Sequence, residues 1–469
     1  MSDTSRRAKE DPRIAASTLI AQGRDPEPPP DERAAAAKAL RDEAPRSSHG
    51  AWSPAPDRPD PVALLETSNR GRLPSLAPLR IGRMLESPFA FLRGAAVVMA
   101  HDLAATPVTG LRAQLCGDAH VGNFGGYATP ERNLVFDIND FDETLVGPWE
   151  WDLKRLVASI VVLGRVNGVA KAEARAAALA AARSYREHIR DYGALPYLEV
   201  WYSVIDAEAT MAQFARHPQP MEEAFNKGRQ RTNETALPKL AEHVGSGYRI
   251  ADDPPLVTHP RDVLASRLPE VLSAYRASLP EERRLLLDRY GVVDLARKVI
   301  GVGSVGMRCY VALLFGADTA DPLFLQLKEA RESVLAPFAG TRARTHQGKR
   351  VVVGQRIMQA ASDIFLGWTR SGHVDYFVRQ LRDMKTSVAL EDLDGGDLAA
   401  YAALCGWILA RAHACSGDAA QIGGYLGKGD GFDHAVTAFG EAYADQTERD
   451  HAALVAAVKA GRLQAQTGL

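Results

Sequence analysis

The sequence predicts an α+β protein in two lobes, a large helical one and a small one built on a mostly antiparallel sheet. Three observations carry this. At 469 residues the chain is too long for one small core. Helical patterns run through residues 153–166 and 171–191, the second strongly alanine-rich, and resume from residue 398. Between about residues 291 and 390 the texture changes to short β-rich runs broken by glycines and by Asp321-Pro322.

Residues 1–72 are rich in Pro, Arg, Asp and Ala, with Pro28-Pro29-Pro30 and Pro54, Pro56, Pro59 and Pro61. Such a stretch lacks the apolar surface to offset its ordering entropy, so a mostly disordered tail is expected, with a short helix at 32–43 as its exception. The helical lobe is expected over 73–290. It includes a helix at 88–105 with Ser87 as cap and Pro88 in the first turn, and it is interrupted by a turn at Asp252-Asp253-Pro254-Pro255. The small lobe, 291–390, is expected to hold strands at 308–315, 322–328, 350–359 and 374–381. Residues 391–469 read as helices returning to the large lobe, with Leu404, Ile408 and Leu409 on one face.

Lys+Arg 56 against Asp+Glu 58 gives a net charge of -2, which provides no broad field for nucleic acid or an acidic membrane surface, and no partner of either kind is expected. Cys116, Cys309, Cys405 and Cys415 have no CxxC spacing and are too few for a disulfide framework. No apolar run is long enough to span a bilayer, and no apolar signal core follows the N-terminus, so a cytoplasmic setting is expected.

The chemistry concentrates at two strand ends. Residues 111–115 run into Cys116-Gly117-Asp118-Ala119-His120-Val121-Gly122-Asn123, and residues 134–138 run into Asn139-Asp140-Phe141-Asp142. Asp118 and Asn123 stand at the two ends of one short loop and Asp140 at the end of the next strand, so folding the loop brings them together. Two carboxylates and an amide oxygen are hard donors, suited to Mg²⁺ held partly by substrate phosphates, with one carboxylate left as a base. That division of labour is the phosphoryl-transfer template. Taken singly, each of these residues is a common turn former; the combination at two strand ends is what points to function.

The pattern Gly-Asp-x-His-x-Gly-Asn followed by Ile-Asn-Asp-Phe-Asp resembles the aminoglycoside-phosphotransferase and choline-kinase branch of the protein-kinase-like superfamily, and within it looks most like the bacterial family DUF2252. The resemblance implies a bilobal kinase-like fold, Asp118 as catalytic base, Asn123 and Asp140 as metal ligands, Asp142 as a second carboxylate ligand, and Asp152 as the buried residue that steadies the catalytic loop. His120 is a loop-ordering residue. Cys116 stands where those families usually carry His.

Gly301-x-Gly303-Ser304-x-Gly306 fits either a dinucleotide-binding fold or a kinase phosphate loop. A dinucleotide site needs a helix directly after the last glycine, whereas Arg308-Cys309-Tyr310-Val311 is β-rich. A hairpin covering phosphates is therefore expected, with Lys328 on the next strand as the phosphate-binding lysine and Glu332, or else Glu329, as its partner. These motifs follow Asp118 and Asp140 in the chain, the reverse of the usual kinase order, so the resemblance implies a circularly permuted fold. Leu409-Ala410-Arg411-Ala412-His413-Ala414 resembles the helix that leads into the catalytic loop of related phosphotransferases, with His413 a packed helix histidine.

The expected function is an ATP- and Mg²⁺-dependent phosphotransferase acting on a hydroxyl or amine of an unidentified small-molecule or protein substrate. The alternatives are a metal-dependent phosphohydrolase, a catalytically silent nucleotide-binding protein, and an NAD(P)-binding Rossmann enzyme. Substrate selection is expected between residues 185 and 262, where Trp201, Tyr202, Met211 and Arg216 stand, most of them as core.

Overall fold

Tightly packed helices form the larger part of the molecule. In the computed structural model, which describes residues 27–206, 219–245, 247–259, 262–299, 301–341, 345–381 and 384–468, the helices Trp149–Val166 and Lys171–Gly193 pack against Gly395–Ala414, Ala419–Leu426 and Gly431–Lys459. The alanine stripe explains the closeness. Ala174, Ala177, Ala178, Ala181 and Ala182 are all buried on one helix, and Gly406 on Gly395–Ala414 lies so near that an added β-carbon would stand 2.2 Å from the Ala181 carbonyl oxygen.

Two short ribbons are set into this helical region. β1 (Arg112–Leu115) pairs antiparallel with β4 (Leu145–Pro148), and β2 (Phe124–Ala128) with β3 (Leu134–Ile138). A third ribbon joins β5 (Ala241–Val244) to β6 (Gly247–Ile250). The main sheet has six strands in the order β11-β12-β10-β9-β8-β7, all antiparallel. These are β7 (Val257–Thr258), β8 (Gly291–Lys298), β9 (Cys309–Phe315), β10 (Pro322–Ala330), β11 (Gly367–Ser371) and β12 (Val374–Gln380). Alternation along β9 divides the core: Tyr310, Ala312 and Leu314 meet Val271, Tyr275 and Leu279, while Val311 and Leu313 meet Ala236 and Ile250.

Four expectations are corrected. The tail expected to be mostly disordered over 1–72 is ordered from residue 27: the helix expected at 32–43 is there, as Pro30–Ala36 and Leu40–Glu43, and a further helix runs over Pro61–Asn69, while residues 1–26 lie outside the described residues. Polar anchors add to the few apolar side chains that reach the core, such as Leu65 and Trp52. Arg33 pairs with Asp418 at 2.7 Å, Arg41 donates to the carbonyls of Gly424 and Tyr425, and Arg58 lies between Asp102 and Asp450 at 2.7 and 2.6 Å. The helical stretch does not extend to 290: β5 to β7 precede that point, and the helices Leu268–Ser278 and Glu281–Leu287 cover the sheet. Periodicity reveals an apolar face but not which core receives it. The expected strand at 350–359 is the helix Gln347–Met358, capped by the His346 ring, because Val351 and Val352 are buried in the helical core and tertiary packing overrides their β propensity. The expected helix at 88–105 is two, Pro88–Gly94 and Ala96–Ala104, broken at Ala95, with Ser87 capping the first through Ala90 N–H. No helix among the described residues is long and apolar enough to cross a membrane.

Candidate active site

The loop after β1 is shaped by backbone contacts. Gly117 has φ +82, and a β-carbon there would meet the Glu143 carbonyl oxygen at 2.2 Å, so only glycine fits. The Asp152 carboxylate accepts from the amides of Cys116 at 2.8 Å and Gly117 at 3.0 Å. Behind it stands fully buried His413, whose Nε2 is 3.4 Å from Asp152 and whose Nδ1 shares a hydrogen bond with Tyr185 Oη at 2.8 Å. His413 is thus more than packing, since it belongs to the group that carries the loop. Asn123 donates its side-chain N–H to the Asp118 carbonyl at 2.7 Å, and the Asn139 amide donates to the Asn123 carbonyl at 2.8 Å. That last bond sets the end of β3, and with it Asp140 and Asp142, beside the loop. His120 is buried edge-on to Phe89, with Nε2 3.9 Å from Asp118, and burial together with the charges of Arg93 and Arg155 holds its imidazole well below the usual range.

Asp118 receives Arg155 Nε on Oδ1 at 2.5 Å. Burial pushes its carboxyl up to about 6 even though Arg155 pulls the other way. Lys328, buried on β10, sets its ammonium 2.5 Å from Asp142 and 3.6 Å from Asp140. Burial opposes the Lys328 charge, but the two carboxylates hold its proton and raise it. Asp140 is lowered because Lys328 and Arg379 outweigh its burial, while burial and its neighbour Asp140 raise Asp142. Asp142 Oδ1 and Asn139 Oδ1 are buried without a hydrogen-bond partner. Glu143 beside them is pushed by burial up to about 6, with Arg350 opposing.

The glycine segment is the turn joining β8 to β9, with Gly301 at φ +63 and Gly306 at φ +84, and Gly306 opens no helix. Ile300, just before it, lies outside the described residues. The turn is gripped by its carbonyls: Arg72 donates to Gly303 and Val305, Arg83 to Gly301, and the Leu73 amide to Gly306. Ser304 Oγ lies 3.4 Å from Asp142. One cavity of about 110 Å³ is lined by Asp118, His120, Asn123, Asp140, Asp142 and Glu143 on one side and by Gly301, Gly303 and Ser304 on the other.

Glu332 does not pair with Lys328. It is exposed and lines a separate cavity of about 280 Å³ that includes Arg350, while Glu329 binds Arg308 at 3.1 Å. The helix Gln347–Met358 contains no glutamate, so Asp142 and Asp140 are the partners of Lys328. Trp201 and Tyr202 are not core but 46% and 71% exposed, and Met211 and Arg216 lie outside the described residues. Sequence reasoning missed Arg155, Arg93 and Glu143. Arg155 carried a legible signal, since it stands one helical turn beyond Asp152 on the same face; Arg93 carried none.

A carboxylate and amide loop and a carboxylate pair share one cavity, and the buried Lys328 is ion-paired to that carboxylate pair. The family described as an uncharacterized protein conserved in bacteria, DUF2252, matches residues 72–457, and the chain belongs to it. No curated protein and no solved structure matches the chain. No group of three or more His, Cys, Asp or Glu residues poised for a metal occurs among the described residues.

Proposed function

We propose that the protein is an ATP- and Mg²⁺-dependent phosphotransferase with a permuted protein-kinase-like arrangement, acting on a hydroxyl or amine. The observation that carries this reading is Lys328, far along the chain from Asp140 and Asp142 yet with its ammonium 3.6 and 2.5 Å from them, at a cavity roofed by the glycine turn. The permutation is supported by the segment after the helix Gly395–Ala414, which lies against β1, with Gln114 N–H donating to Ser416 Oγ at 2.8 Å. The C-terminal helices thus meet the catalytic loop where an unpermuted chain would run straight into it.

The residues fit Mg²⁺. Asp140, Asp142 and Asn123 offer oxygens, and Asp142 Oδ1 is a buried acceptor with nothing to accept. When bound, the ion neutralises charge on the phosphate oxygens. Asp118 has Oδ1 engaged by Arg155, which leaves Oδ2 to take the acceptor's proton. Lys328 would bind phosphate oxygens of the nucleotide, and Asp152 with His413 keeps the loop in place.

The test is a thermal shift of the full chain with ATP or NAD, each with and without Mg²⁺. A Mg²⁺-dependent shift with ATP and none with NAD is expected; Asp140→Asn loses it, while Asp118→Asn keeps it and loses turnover about 10²- to 10⁴-fold. A larger shift with NAD than with ATP overturns the proposal.

A further inference from the structure

We infer that Arg93 binds the phosphoryl group in transit, an arginine supplied to the site from within the chain; this rests on the phosphotransferase reading. Three arginines, Arg72, Arg80 and Arg93, line the cavity. Two are committed elsewhere. Arg72 holds the carbonyls of Gly303 and Val305, and Arg80 holds Ser68, Asn69 and the Gly94 carbonyl. Among the described residues, Arg93 has no hydrogen bond from its guanidinium and no carboxylate within 4.0 Å, and its Nε is buried without a partner. Among the described residues its one ring contact is with Phe89, 5.9 Å from the guanidinium carbon.

The backbone around it is fixed on both sides. Arg155 donates to the Leu92 carbonyl at 2.9 Å with the same guanidinium that holds Asp118, and Arg80 donates to the Gly94 carbonyl at 2.7 Å. The Arg93 carbonyl is itself close enough to the glycine turn that a β-carbon on Gly303 would stand 3.3 Å from it. An unspent guanidinium on a fixed backbone therefore lines the same cavity as Asp118 and the glycine turn, and its charge acts on both Asp118 and Asp140. A planar fork of N–H donors suits the equatorial oxygens of a transferring phosphoryl group. In the reaction the acceptor's oxygen or nitrogen bonds to phosphorus as the bond from phosphorus to the bridging oxygen breaks. The electron pair leaves on ADP, the acceptor's proton passes to Asp118, and Arg93 neither gains nor loses a proton.

The test uses the full chain and Mg²⁺-ADP with and without aluminium fluoride, a stand-in for the transferring phosphoryl group, read by calorimetry and thermal shift. Wild type is expected to gain affinity on adding fluoride. Arg93→Gln is expected to bind Mg²⁺-ADP as wild type does, lose the fluoride increment, and turn over about 10³-fold more slowly with little change in KM for ATP. Arg93→Lys is expected to recover only part of the increment. Because the Arg93 guanidinium bonds nothing in the fold, both variants should melt within a few degrees of wild type. An unchanged increment in Arg93→Gln overturns this inference alone. A wild-type chain that ignores Mg²⁺-ADP and Mg²⁺-ATP overturns the phosphotransferase reading, and this inference with it.

Discussion

Asp118 is where burial and charge contend most directly. With Asp118 as the proposed base, its carboxyl, raised to about 6, is protonated below that pH, so kcat/KM should fall as pH drops through about 6 and level off above it. Arg155 is what keeps the value from rising further, so Arg155→Met should move this acid limb to higher pH, a displacement that a purely structural role would not produce. A limb that stays near 6 in the variant removes Arg155 from the control of the base. Asp118, Asn123 and Asp140 were legible in the sequence because one loop and one strand end bring them together. The partner of Lys328 was not, because the pairing crosses the fold: local spacing suggested Glu332, whereas the electrostatics of a buried ammonium favoured the two carboxylates at the end of β3.

At the level of elements, Ala181 and Gly406 decide how near two helices come. Gly406→Val would drive a side chain into the Ala181 carbonyl and should lower stability by at least about 1–3 kcal/mol, read as a fall in the urea midpoint at unchanged slope. Stability equal to wild type would mean that the helices part without cost. The alanine-rich helix announced itself through propensity and period, but its partner did not, because small residues on one face say only that something comes close. The helix Gln347–Met358 shows the converse. Three consecutive valines spoke for a strand, and the burial of Val351 and Val352 against the helical core outweighed them.

Across the whole molecule, the ordered N-terminal segment is the largest departure from what the sequence suggested. A stretch poor in apolar residues is expected to stay loose, yet charged side chains reaching distant helices, together with Leu65 and Trp52 packed into apolar clusters, hold it in place. Arg58 is the clearest case, a half-buried guanidinium bridging the buried carboxylates of Asp102 and Asp450. Arg58→Ala should cost about 3–5 kcal/mol at pH 7, because two buried carboxylates are left without their cation. Urea denaturation at pH 7 reads this as a fall in the midpoint, and a stability equal to wild type would mean that the bridge contributes nothing.

The grip of Arg72 and Arg83 on the carbonyls of the glycine turn has a practical consequence. The cover of the cavity is suspended from a segment that precedes the Asp118–Asn123 loop in the chain and lies outside the ring of carboxylates. A graft, a crosslink or a nick between residues 69 and 83 would therefore retune the cavity without touching Asp118, Asn123, Asp140 or Asp142. The stretch is a handle by which an engineer could dim or restore the site from outside.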